Sequence, residues 1–146
     1  MFKKILAAVD GSSSSIYALD YAANLANQNK AELKIVSVIE PIPTFYTAGS
    51  GTLEKEMHDL TINNYEKMIK EQRERLLAEY PQLKVSALIQ EGKPAEVIKE
   101  VSGDSDLIVI GHRGLSGVLN WVLGSVAKQV VDTCTVPVLV VKEKAS

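Results

Sequence analysis

One stretch near the C-terminal end, Ile110 to Lys128 (I-G-H-R-G-L-S-G-V-L-N-W-V-L-G-S-V-A-K), has residue types and spacing suited to holding an anion. Gly111 follows a short apolar run, Asp106 to Ile110, that reads as a buried strand. Gly124 and Ser125 open an amphipathic segment, Val126 to Val131, that reads as a helix. Glycines such as Gly111, Gly114 and Gly124 let backbone N–H groups come close to a phosphate. A helix start adds unpaired donors at the positive end of its dipole. Ser125 supplies a hydroxyl, either as helix cap or as phosphate ligand. The plainer reading of the same glycines is a tight connection that needs positive φ. No Gly-Lys-Ser/Thr occurs, so this is not a P-loop, and the lysine that handles β- and γ-phosphates there is missing. Arg113 either pairs with phosphate or is an exposed loop arginine. Lys128, one turn into the helix, is either a phosphate neighbour or a solvated surface lysine.

Strand-like and helix-like runs alternate around this loop. Ile5 to Val9 reads as the first strand, and Ser15 to Asn29 as a helix with candidate caps at Ser12 to Ser15. Glu32 to Ile39 reads as the second strand. Residues 40 to 52, with two prolines and two glycines, read as a loop. A long charged helix is expected from about Leu53 to Tyr80, with Pro81 just beyond it. Its Arg73 and Arg75 beside Glu71, Glu74 and Glu79 read as a solvated face. Val85 to Gln90 reads as the third strand, Pro94 to about Ser102 as a helix with proline in its first turn, and Pro137 to Lys142 as the last strand. This alternation implies βαβ units: an α/β fold with an open five-stranded parallel sheet, order 3-2-1-4-5, and helices on both faces. In such a sheet the connections leaving strands 1 and 4 turn to opposite faces, and ligands bind in the crevice at their carboxyl ends. Asp10 at the end of strand 1 and Gly111 at the end of strand 4 therefore converge on one crevice.

The spacing G-x2-G-x9-G-S resembles the nucleotide-binding signature of the universal stress protein family, specifically its ATP-binding branch. Lys4-Ile-Leu-Ala-Ala-Val-Asp10-Gly-Ser12 is similar to that family's first strand and terminal aspartate. Val136-Pro-Val-Leu-Val-Val141 is similar to its last strand, so the resemblance spans nearly the whole chain. It implies one nucleotide-binding domain over residues 1–146. It further implies ATP as ligand, with or without Mg²⁺, with Ala8, Val9 and Val38 contacting base and ribose, partly through backbone groups. Asp10 would then stand near the ribose or a phosphate-bound Mg²⁺; on its own chemistry it is a cap or turn residue. Phosphate falls to Gly111, Arg113, Gly114, Gly124 and Ser125, with Val126 also among the nucleotide-binding residues. Micromolar affinity needs about 8 kcal/mol, whereas a charge at an exposed helix terminus contributes roughly 0.3–1 kcal/mol. An apolar slot for the base, walled by Ala8, Val9, Val38 and Ile110, would supply the remainder. The resemblance also implies a homodimer through the C-terminal strand, an unidentified protein partner, and at most slow hydrolysis, with no catalytic residue assigned.

Bulk properties fit this reading. The chain has 146 residues, 46% hydrophobic and 23% charged, with a formal net charge of −2. There is no basic excess for nucleic acid. No apolar run approaches the roughly 20 residues that span a bilayer. Cys134 is the only cysteine, which favours a reducing, cytoplasmic setting and reads as a small apolar filler. His58 and His112 lack the companions of a metal site. Leu115 to Leu123, with Trp121, reads as an apolar turn or a partner contact. Three other functions remain in play. A flavodoxin-like FMN carrier would use Gly11-Ser-Ser-Ser-Ser15 as its phosphate loop. A phosphotransfer receiver needs an acidic cluster at strands 1 and 3, and only Asp10 and Glu91 are available. A dimeric scaffold of the same fold would bind no nucleotide.

Overall fold

The computed structural model describes residues 1–41, 51–113 and 123–143, with only the backbone of 51 and 52. Its elements are β1 (Lys4–Ala8), α1 (Ser13–Asn29), β2 (Glu32–Ile39), α2 (Gly51–Glu79), β3 (Lys84–Glu91), α3 (Pro94–Val101), β4 (Leu107–Gly111), α4 (Ser125–Thr133) and β5 (Val138–Val141). The five strands form one sheet in the order β3-β2-β1-β4-β5, with every pairing parallel, as expected.

Residue alternation along the strands divides the core into two layers. Ile5, Ala7 and Val9, with Leu33, Ile35, Leu107 and Val109, pack against α1 and against Ile69 and Leu76 of α2. Leu6, Val36, Ile108 and Ile110 pack on the other side against Val97 and Ile98 of α3 and Ala127 and Val130 of α4. The helix after β1 and the helix after β4 therefore cover opposite faces, which opens the crevice between the two strand ends.

Several boundaries differ from the sequence reading. β1 closes at Ala8, so Asp10 lies two residues beyond the strand in a turn of its own. There Asp10 Oδ1 accepts the Ser12 N–H at 2.9 Å, and Gly11 takes φ +87°, a left-handed conformation that glycine reaches without steric penalty. α1 is capped by Ser12, whose hydroxyl accepts the Ser15 N–H at 3.2 Å. It ends at Lys30, in the left-handed conformation, whose N–H bonds back to the last turn. α4 begins one residue earlier than its apolar periodicity suggests, at Ser125, with Gly124 in the cap position.

Candidate functional site

A cleft of about 400 Å³ opens at the carboxyl ends of β1, β2 and β4, within the size range of small-molecule sites. Ala8, Val9, Asp10, Val38, Gly111, Arg113, Gly124, Ser125 and Val126 all line it. Gly114 lies outside the described residues, as do Leu115 to Val122. The cleft also takes residues that the sequence reading passed over: Ser15 of α1, Thr61 and Tyr65 of α2, Pro94 and Ile98 of α3, and Glu40. Thr61 and Tyr65 are four residues apart, as are Pro94 and Ile98, so each pair shares one helix face. Among the highly charged residues of α2 that first pair is easily taken for part of a solvated surface.

Three positions expected to touch a base all line the cleft, but their backbone groups differ. Val9 is 2% exposed, with its side chain in the α1-side core. Its N–H donates to Val36 C=O at 2.9 Å, and its C=O accepts the Ser37 hydroxyl at 2.6 Å. The Val9 N–H is thus committed within the protein and is not a reader of a ligand edge. Ala8 sits in the ladder opposite Val36 and Ile110 and offers a small apolar wall. Val38 is different. Backbone groups alternate sides along a strand. Val36 C=O faces β1, where it accepts from Val9, and Ile39 C=O faces β3, where it accepts the Gly92 N–H at 3.0 Å. Val38 has the parity of Val36 and β1 has already ended, so its N–H and C=O face the cleft.

Gly111 owes its identity to packing rather than to positive φ. A Cβ there would lie 2.7 Å from Ser14 Oγ and 2.8 Å from the Ser14 carbonyl carbon, so the start of α1 rests directly on the end of β4. The same contact lets Ser14 Oγ accept the Arg113 N–H at 3.2 Å. His112 is buried at 6% exposure, and its C=O accepts the Gly124 N–H at 2.8 Å, bringing α4 back to the strand end. Burial, and then the charges of Lys142 and Arg113, hold the His112 imidazole below its ordinary value, so it is neutral at pH 7 and supplies no cation.

Gly124 takes φ −59° and ψ 151°, ordinary extended backbone open to any L-residue, yet it carries no capping side chain. Ser, Asn or Asp is favoured at such a cap because its oxygen occupies the first-turn donors. With glycine there, the cap residue puts no side chain over the N-terminal amides of α4, and the first turn from Ser125 to Ala127 borders the cleft. Ser125 is the first helical residue, so the cap role considered for it belongs to Gly124.

The sequence profile of the universal stress protein family matches residues 1–142. The chain belongs to the universal stress protein family. Universal stress protein YxiE of Bacillus subtilis is 31% identical over 150 residues, covering 97% of this chain and 100% of that one. Universal stress protein MJ0531 of Methanocaldococcus jannaschii is 33% identical over 145 residues, covering 98% and 84%. Among solved structures, hypothetical protein MJ0577 superposes with a TM-score of 0.84 at 28% identity, covering 100% of this chain and 99% of that one. A universal stress protein in complex with cAMP superposes with a TM-score of 0.71 at 26% identity, covering 96% and 97%. The cleft thus lies at the strand-order switch point of a universal stress protein fold, where open parallel sheets take their ligands. Among the described residues no cluster of three or more His, Cys, Asp or Glu could hold a metal, and no helix is long and apolar enough to cross a membrane.

Proposed function

We propose that this universal stress protein binds ATP in the cleft between β1 and β4 and acts as a nucleotide-responsive regulatory or stress-protective module, with at most slow hydrolysis. The observation that carries the reading is the start of α4, which has no capping side chain at Gly124 and opens into a cleft that also has an apolar wall. Anion-attracting donors at one end and Ala8, Val36, Val38, Ile98 and Ile110 at the other suit a ligand with a phosphate tail and a flat apolar head. The relative solved with cAMP carries an adenine nucleotide, in keeping with that head group. In this reading the main-chain edge of Val38 meets the base, the first turn of α4 and Gly111 to Gly114 meet the phosphates, and Arg113 adds charge. Asp10, a carboxylate within the cleft, fits a Mg²⁺ held mainly by phosphate oxygens, since such ions take only one or two protein carboxylates.

The FMN reading fares worse. At the start of α1 the Ser12 hydroxyl caps the helix, Ser14 Oγ accepts from Arg113, and Ser15 Oγ accepts the Asp10 N–H at 3.2 Å. Those hydroxyls already have partners within the protein. We further propose a cytoplasmic homodimer joined through β5, which is an edge strand of the sheet, and a protein partner that distinguishes apo from loaded forms.

The test is to denature the purified chain, identify any released nucleotide by mass, and titrate apo protein with Mg-ATP by calorimetry. Released ATP or ADP, or micromolar binding, is the expected result. Absence of both overturns the reading and leaves the cleft without a nucleotide role. Equal partner binding by apo and ATP-loaded protein would remove the regulatory half alone.

A further inference from the structure

The sheet has two edge strands, β3 and β5, and they are built differently. β5 has four residues, whereas β3 has eight, and from Val85 to Gln90 β3 holds neither a charge nor a proline. Edge strands are commonly blunted by shortness, charge or proline, so β3 is the less protected of the two. Its backbone direction follows from the ladder. The Gly92 N–H donates to Ile39 C=O of β2 at 3.0 Å, so even-numbered positions of β3 face β2. Val85, Ala87, Ile89 and Glu91 therefore direct their N–H and C=O groups to the outer edge. Ala87 and Ile89 also share the side-chain face beneath α2, where with Ile69 and Leu77 they floor a groove of about 550 Å³. Ser86 and Ala87, neighbours on opposite faces of the strand, are both exposed, so β3 is open at mid-length.

We propose that β3 is an interface between copies of this chain: two β3 strands pair antiparallel about a two-fold axis at Leu88, and the partner's Ile89 enters the groove beside α2 next to Ala87. This contact lies at the far edge of the sheet from β5 and does not rest on the nucleotide reading. An axis at Leu88 sets Val85 opposite the partner's Glu91 and Ala87 opposite the partner's Ile89, a small side chain against a large one. All the outward residues then form hydrogen-bonded pairs that exchange two bonds each, about eight bonds in all. That is close to the roughly ten direct hydrogen bonds of a typical protein interface. Moving the axis one residue either way sets Glu91 or Val85 beyond the end of the partner's strand, so register favours Leu88. The rim favours a second copy over other partners. Glu66, Lys70, Arg73 and Glu74 of α2 edge the groove, two acids and two bases. A copy of this chain brings the same balanced set, and self-complementarity is what a two-fold contact requires. A strongly acidic or strongly basic partner would meet like charges on half of that rim.

The experiment is disulfide cross-linking of the full chain with oxidised glutathione in a Cys134→Ser background, since Cys134 is the only cysteine. On the proposed axis the two Leu88 residues form a non-hydrogen-bonded pair with Cα atoms about 4.5 Å apart, within the roughly 4.4–6.8 Å that a disulfide spans. The two Ser86 residues stand four positions apart along the strands, about 13 Å, too far to bridge. Leu88→Cys should therefore give linked pairs on a non-reducing gel at least about tenfold faster than Ser86→Cys. Equal linking through both cysteines, linking through Ser86→Cys alone, or linking through neither overturns the inference. Leu88 is half-buried against the α3- and α4-side core, so circular dichroism checks the fold of its variant. A second measurement is independent of that variant. Ala87→Lys puts a charge at an exposed position on the edge, and it should lower the weight-average mass in sedimentation equilibrium at equal concentration. An unchanged mass overturns the inference, whatever happens at β5 and whether or not ATP binds.

Discussion

Two helices begin at the same crevice and treat their first-turn amides in opposite ways. The start of α1 is wired to its own chain. Ser12 caps it, Ser15 Oγ donates back to Ser12 C=O at 2.9 Å, and buried Ser14 and Ser15 receive the N–H groups of Arg113 and Asp10. The start of α4 has glycine where a capping side chain would be, and it faces a cleft. Both segments are rich in serine and glycine, and composition alone does not separate them. The difference lies in where hydroxyls fall relative to the first turn: one residue before it in Ser12, and inside it in Ser125. A cap stabilises its helix by about 1 kcal/mol, so α4 forgoes that stabilisation and leaves its donors to whatever enters the cleft.

The largest expected effect follows from putting an acid at the open start. Gly124 has extended backbone angles that aspartate adopts without strain, and aspartate is among the best N-caps. Gly124→Asp should therefore leave thermal stability unchanged or slightly raised, while ATP affinity falls by at least about a hundredfold, roughly 2.7 kcal/mol. A protein's own carboxylate would then sit where the phosphate belongs. Loss of both folding and binding would make Gly124 architectural. Unchanged affinity would place the phosphates elsewhere and erase the contrast between the two helices.

The converse substitution sharpens the comparison from the α1 side. Ser12→Ala removes a cap that no ligand replaces, so stability should fall by about 1 kcal/mol in denaturant titration. ATP affinity should stay within about twofold, because the α1 amides are not the phosphate donors. A tenfold loss of affinity with little change in stability would reverse the assignment and revive a phosphate loop after β1.

Much of this arrangement was legible from sequence because it follows from periodicity and order. Alternating runs gave the strand order, and the order alone brought Asp10 and Gly111 together. The unread parts depend on contacts between distant residues. Gly111 reads as a flexible link until the start of α1 is seen resting on it. Val9 reads as a backbone reader of a base edge until its N–H is found donating to Val36 C=O and its C=O accepting the Ser37 hydroxyl. Tyr65 and Thr61 belong to a helix whose charged residues advertise solvent, and only the crossing of α2 over the sheet ends turns that face inward. The start of α4 lay one residue off, because glycine and serine give no apolar signal.

The smallest expected effect lies at the opposite end of the β1–β4 pair and shows what a self-supplied anion looks like here. Asp106 Oδ2 accepts the backbone N–H groups of Lys3 at 2.8 Å and Lys4 at 3.0 Å, doing for those amides what a phosphate would do at α4. These two hydrogen bonds, Lys3's first, hold the Asp106 carboxyl below its ordinary value of 3.8. A carboxyl with a lowered folded-state value binds its proton less readily folded than unfolded. Its contribution to stability is therefore complete above the ordinary value and is lost as pH falls through the folded one. Asp106→Asn should lower the melting temperature slightly at pH 7, and its gap from the wild type should narrow as pH drops below about 4. The side chain is exposed, so salt should also weaken the effect. A gap that persisted undiminished into strong acid would mean that Asp106 acts through packing or turn geometry rather than charge. The parallel with the phosphate donors of α4 would then rest on Gly124 alone.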